Sequence, residues 1–134
     1  MSEKTPVLSF TKLCVRDLAR SAEFYQRALG MREAARFERS DLREIQLQYG
    51  DSPGEASLVL MQWIPAREIV VGHEHGRLGI VTPDLDALFA RVRRAGGKIA
   101  EEAQELAEHK VRVGFVTDPD GYSIEVVEPL AGSS

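Results

Sequence analysis

Two stretches decide the fold: Asp17-Leu18-Ala19-Arg20-Ser21-Ala22-Glu23-Phe24-Tyr25-Gln26-Arg27-Ala28-Leu29-Gly30 and Asp84-Leu85-Asp86-Ala87-Leu88-Phe89-Ala90-Arg91-Val92-Arg93-Arg94-Ala95-Gly96-Gly97. Laid over one another at an offset of 67 residues (17 to 84), Asp-Leu falls on Asp-Leu, Ala28 on Ala95 and Gly30 on Gly97. Half of a 134-residue chain therefore repeats the other half. Each stretch reads as a helix. The aspartate is a good N-cap, and Leu18, Ala22, Tyr25 and Leu29, like Leu85, Leu88, Phe89 and Val92, keep the 3.6-residue spacing of one buried stripe. A glycine stops each.

Working outward, each helix is flanked by strands. Val7 to Val15 alternates, with Leu13 and Val15 on one face and Phe10, Lys12 and Cys14 on the other. Met31–Phe37, Leu42–Tyr49 and Ala56–Trp63 complete the first half. The second half offers Leu78–Val81, a short strand Lys98–Ala100, then Val111–Thr117 and Tyr122–Glu128 around the tight turn Asp118-Pro119-Asp120-Gly121. The fold class expected is α+β: two tandem βαβββ modules, about 7–63 and 77–129, joined by a linker 64–76. They would form one domain, a curved eight-stranded sheet around a cleft with the helices outside. Exposed strand edges invite a second chain, so a homodimer is expected.

Composition narrows the partners. The chain is 43% hydrophobic and 28% charged, with a net charge of −4 and interspersed signs. Nucleic acid and anionic membrane surfaces select clustered Lys and Arg, so neither is expected as a partner. Arg91, Arg93 and Arg94 fit a solvated helix face. No apolar run reaches the ~20 residues of a membrane span, residues 1–6 have no signal-peptide core, and the single Cys14 allows no intrachain disulfide. Together these point to the cytoplasm. The tail 131–134 reads as frayed.

Val15-Arg16-Asp17-Leu18 with Ser21, Phe24-Tyr25 and Leu29-Gly30-Met31, and above all Asp118-Pro119-Asp120-Gly121-Tyr122 with Ile124-Glu125, resemble the vicinal oxygen chelate superfamily. That group includes lactoylglutathione lyase, fosfomycin and bleomycin resistance proteins, and extradiol dioxygenases. The resemblance spans about residues 8–129. It implies the fold more firmly than the function, since one fold hosts many chemistries.

Metal-using members of that superfamily take two ligands per half, from the first and fourth strands, all aimed into the cleft. The resemblance puts those positions at Phe10, Val59, Arg77 and Glu125. Phe10 and Arg77 are 67 apart and Val59 and Glu125 are 66 apart, so the repeat agrees with the placement. Of the four, Glu125 alone can ligate a metal. Phe10 and Val59 have no donor atom, and Arg77 is a permanent cation. The usual metal site is therefore expected to be lost, with no cofactor. Arg77 would bind an anionic or carbonyl oxygen of a ligand with Glu125 orienting it, or simply neutralise Glu125 as an ion pair.

Other residues have a site reading beside a plain one. Phe10, Val59, Met61 and Trp63, with Phe115, would form an apolar and aromatic cleft wall, or a collapsed core. Lys12 would bind an anion or point to water. Glu44, Gln46 and Gln48 would line the cleft floor or face solvent, with Glu44 a second candidate base. Cys14 is a nucleophile only with a base beside it, and otherwise a small packed residue. His73 and His75, with Glu108 or His109, would make an atypical divalent-metal site, or be solvated loop residues.

Two functions follow from the resemblance. One is a small-molecule-binding protein of the bleomycin-resistance kind, with Phe10, Lys12, Val59, Met61, Trp63, Arg77, Phe115 and Glu125 as ligand-binding residues. The mild negative charge would suit a cationic ligand. The other is a lyase, isomerase or dioxygenase using an atypical metal site, or metal-free acid–base chemistry with Glu125 as the catalytic carboxylate.

Overall fold

The structure is a computed structural model and describes residues 6, 8–50, 57–72 and 76–131. Strand β1 (Phe10–Cys14), helix α1 (Leu18–Leu29) and strands β2 (Arg32–Glu38), β3 (Leu42–Gln48) and β4 (Ser57–Trp63) form the first module. Strand β5 (Leu78–Val81), helix α2 (Leu85–Arg94) and strands β6 (Lys98–Leu106), β7 (Val111–Thr117) and β8 (Ser123–Pro129) form the second. The linker residues 64–72 contain no helix or strand.

The sheet orders are β1-β4-β3-β2 and β5-β8-β7-β6, the same order in each module. The first strand pairs in parallel with the fourth, and the other pairs are antiparallel. The eight strands thus form two four-stranded sheets rather than one continuous sheet. β1 and β5 are free edges of their sheets, with no ladder joining them.

Both helices start as expected: Asp17 accepts the N–H of Arg20 and Asp84 that of Ala87. Gly30 ends α1 at φ 76°, the left-handed conformation glycine reaches without a Cβ penalty. The helices pack on each other and each on its own sheet, so one core runs through both modules. Phe24 and Tyr25 meet edge to face at its centre, ring centroids 5.2 Å apart, both fully buried. Burying a side chain of that size contributes about 3 kcal/mol.

The expected strand Lys98–Ala100 is longer in the structure, running to Leu106. Its register on β7 shifts between Ile99 and Glu101 and again between Glu101 and Gln104. Those bulges break the period-two pattern that marks a strand in sequence.

Candidate functional site

The helix-facing side of each sheet carries the core. In the first sheet this is Leu13, Ile45, Leu47, Leu58 and Leu60. The opposite, open side is set by register. Phe10 faces Ser57, Lys12 faces Val59 and Cys14 faces Met61 across β1 and β4. Gln46 faces Val59, Glu44 faces Met61 and Leu42 faces Trp63 across β3 and β4.

On that face Lys12 Nζ bonds Glu44 Oε2 at 2.6 Å and stands 5.7 Å from the Phe10 ring centroid. Gln46 donates to Ser57 Oγ at 3.0 Å, and Ser57 donates on to Gln48 Oε1 at 3.3 Å. Val59 and Met61 are buried, Trp63 is half-buried and Phe10 is 52% exposed. Phe10, Val59, Met61 and Trp63 thus share one sheet face with an ion pair and an amide–hydroxyl chain, whereas Phe115 lies on the other sheet. Glu44, named as a candidate base, is held by Lys12.

The open side of the second sheet is built differently. The Arg77 guanidinium lies over the Phe115 ring, 4.5 Å from Cζ to the centroid. Phe115 and Glu125 are partners across β7 and β8, and Glu125 faces Gly79 on β5. Arg77 thus rests on the aromatic neighbour of Glu125, and among the described residues it forms no ion pair with a carboxylate. The expected residues fall into two groups: Phe10, Lys12, Val59, Met61 and Trp63 on one sheet, and Arg77, Phe115 and Glu125 on the other. Lys12 and Arg77 both line one cavity of about 400 Å³, with residues of β1 and β5.

The donors at Phe10, Val59, Arg77 and Glu125 do not fit a divalent ion. Two have no lone pair, one is a cation, and one carboxylate does not make a metal site. Among the described residues no group of three His, Cys, Asp or Glu side chains gathers elsewhere. His73 and His75 lie outside the described residues. His109 and Glu108 are exposed in a 3-10 turn, Ala107–His109. Cys14 is half-buried, and its carbonyl accepts the Tyr122 hydroxyl at 2.6 Å.

Other contacts had no sequence signal. Arg67, from the linker, stacks on Trp63 at 3.6 Å from Cζ to centroid, beside a cavity of about 350 Å³. The Asp118–Gly121 turn reaches across to the first module. Asp120 Oδ1 accepts from Arg16 at 3.0 Å and Arg20 at 3.1 Å, and its Oδ2 accepts from the Ser21 hydroxyl at 2.9 Å. Asp118 Oδ2 accepts from the Tyr25 hydroxyl at 2.7 Å, while Oδ1 takes the N–H groups of Asp120, Gly121 and Tyr122. Burial raises the Asp118 carboxyl above its ordinary value, against the lowering effect of those hydrogen bonds. Burial, then the adjacent Asp118 charge, raises the Tyr25 hydroxyl well above its own. This network joins the two modules.

Two βαβββ modules with an open face each define a class, and sequence comparison names it. The chain belongs to the Glyoxalase/Bleomycin resistance protein/Dioxygenase superfamily, whose family model matches residues 7–126. It is 31% identical over 127 residues to a lactoylglutathione lyase of Neisseria meningitidis serogroup A, covering 93% of this chain and 92% of that one. It is 34% identical over 120 residues to the lactoylglutathione lyase of Haemophilus influenzae, covering 88% and 89%. A mutant of glyoxalase I from Zea mays superposes with a TM-score of 0.83 at 28% identity, over 90% of this chain and 45% of the maize chain. This chain thus spans under half the length of the maize protein. A glyoxylase/bleomycin resistance protein/dioxygenase domain from Frankia shares the fold, with a TM-score of 0.76 at 23% identity over 98% and 96% of the two chains.

Proposed function

We propose that the protein binds a small organic molecule on the open faces of its sheets, and that the metal site usual in its superfamily is lost. The donor chemistry at four positions carries this reading: Phe10, Val59 and Arg77 offer no ligand atom to accompany Glu125. The mix of buried apolar side chains with a few polar groups, Lys12, Glu44, Arg77 and Glu125, is how small-molecule sites are built. A second copy of the chain is expected to complete the molecule. Free edges at β1, β2, β5 and β6 and exposed Phe10, Phe37 and Val81 support a homodimer. A single cysteine suits the reducing cytoplasm.

The lactoylglutathione lyase names of the relatives favour a second reading, an enzyme of that lyase type. It would require Glu125 or Glu44 to act as a metal-free base, or the histidines at 73, 75 and 109 to hold an ion. Two measurements separate the readings: metal content of the purified chain, and lactoylglutathione lyase activity with divalent ions supplied. The binding reading expects no stoichiometric ion and no activity. Metal-dependent turnover overturns it. Light scattering tests the homodimer, and a monomer at micromolar concentration removes it.

A further inference from the structure

Two cavities lie in the gap where β1 and β5 face each other unpaired. The larger, about 400 Å³, has Lys12 and Leu13 on one side and Arg77, Gly79 and Ser123 on the other. The smaller, about 240 Å³, is lined chiefly by apolar side chains, among them Leu29, Met31, Leu58 and Ile80. Thr11, Leu78 and Gly79 line both, so the two adjoin.

Charge in the larger cavity has one sign. Lys12 and Arg77 line it, and among the described residues no aspartate or glutamate does. Each cation sits over an aromatic ring of its own module, Lys12 over Phe10 and Arg77 over Phe115. Lys12 is met by Glu44. Arg77 is met by no carboxylate among the described residues. Glu125 lies further along β8 than Ser123, opposite Gly79, and is not in the lining.

Resting on the metal-free reading above, and extending its site from Lys12 and Arg77 past the β1 edge to the helix-facing side at Leu29 and Leu58, we propose that these joined cavities take an amphipathic monocarboxylate. Its carboxylate meets the Arg77 guanidinium, with the Lys12 ammonium as a second donor, and its apolar body fills the adjoining cavity. A guanidinium offers two parallel N–H groups matched to a carboxylate. The aromatic face beneath Arg77 holds the cation without a counter-charge and leaves its N–H edge for the ligand. One uncompensated cation suits one negative charge rather than the two of a phosphate monoester. The ligand expected from this geometry is anionic, opposite to what the net charge of the whole chain suggests.

The test uses 4-phenylbutyrate and its neutral counterpart 4-phenylbutyramide, titrated into the full chain by calorimetry. The acid binds, and the amide binds at least about tenfold more weakly, ~1.4 kcal/mol. Arg77→Met lowers affinity for the acid about tenfold, again ~1.4 kcal/mol, and leaves that for the amide unchanged. Lys12→Met has the same sign and a smaller size. Melting temperature is read on every variant and should not change for Arg77→Met, because Arg77 is exposed. Equal binding of acid and amide, an unaffected Arg77→Met variant, or no binding of the acid at millimolar concentration each overturns the proposal. Metal content is read on the same preparation. A stoichiometric ion removes the metal-free reading itself, whereas metal-free protein that binds acid and amide alike keeps that reading and loses only the carboxylate.

Discussion

Helices α1 and α2 begin 67 residues apart and begin alike, each with an aspartate side chain accepting the N–H three residues on. Each is closed by a left-handed glycine, Gly30 at φ 76° and Gly96 at φ 96°, so the repeat slips by one residue and Gly97, the partner of Gly30 at the 67-residue offset, has another task. At Gly30 an added Cβ would meet nothing within 4 Å, and the residue is required for its φ of +76°. At its repeat partner Gly97 an added Cβ would come 2.6 Å from Phe24 Cε1 and from the Thr117 carbonyl oxygen. The open faces part further. The first sheet carries Lys12–Glu44 over buried Val59 and Met61, and the second carries Arg77 on Phe115 beside Glu125. What a βαβββ unit needs in order to fold is present twice. What faces the ligand is present once in each module, in different chemistry.

The largest effect is expected at the turn that ties the second module to the first. Asp118→Ala removes the side-chain acceptor of the Asp120, Gly121 and Tyr122 N–H groups and of the buried Tyr25 hydroxyl, while Gly121 keeps its bond to the Asp118 carbonyl, and should cost about 3 kcal/mol in urea unfolding. Asp118→Asn keeps an oxygen for the three N–H groups and should cost clearly less. Equal losses would show that the charge, not the hydrogen-bond pattern, holds the modules.

Next come the paired glycines. Gly97→Ala should destabilise by roughly 1–3 kcal/mol through overpacking against Phe24 and Thr117. Gly30→Ala should cost about 1 kcal/mol, the penalty of the left-handed conformation alone. A larger loss at Gly30 than at Gly97 would contradict the different reasons assigned to them. On the open face Lys12→Met should change stability by less than about 1 kcal/mol, because the Lys12 side chain is 42% exposed and the pair is screened.

The smallest effect is on pH dependence. Burial raises the folded-state pKa of Asp118 above its ordinary 3.8. Its contribution therefore favours the fold below that value and is lost as pH rises through the folded-state pKa. Over that acid range the stability of the native chain should fall relative to the Asp118→Asn variant. A native curve that rises relative to the variant contradicts the assignment.

Much of the fold was legible because local rules repeat at a fixed offset. The aspartate caps, the helical stripes and the alternation of β1, β3 and β4 each place a residue on a face without tertiary information. β6 was not legible past Ala100, since its bulges cancel the alternation. The site was legible as faces and not as contacts. Register places Phe10, Lys12, Val59 and Met61 together, but Lys12–Glu44 joins residues 32 apart, and Asp120 reaches Arg16 from 104 residues away. The neighbour of Arg77 is hidden from the sequence for the same reason. Opposite charge singled out Glu125, whereas the β7–β8 register brings Phe115 beside Glu125 and under the guanidinium.

We propose that Phe10, Val59, Arg77 and Glu125, the positions to which the resemblance assigns metal ligands, hold no metal ion in this chain. Elemental analysis of the protein, purified without chelators and then dialysed with divalent ions, tests it most directly. No stoichiometric ion is the predicted result. One tightly held ion per chain, lost on Glu125→Gln, would contradict it.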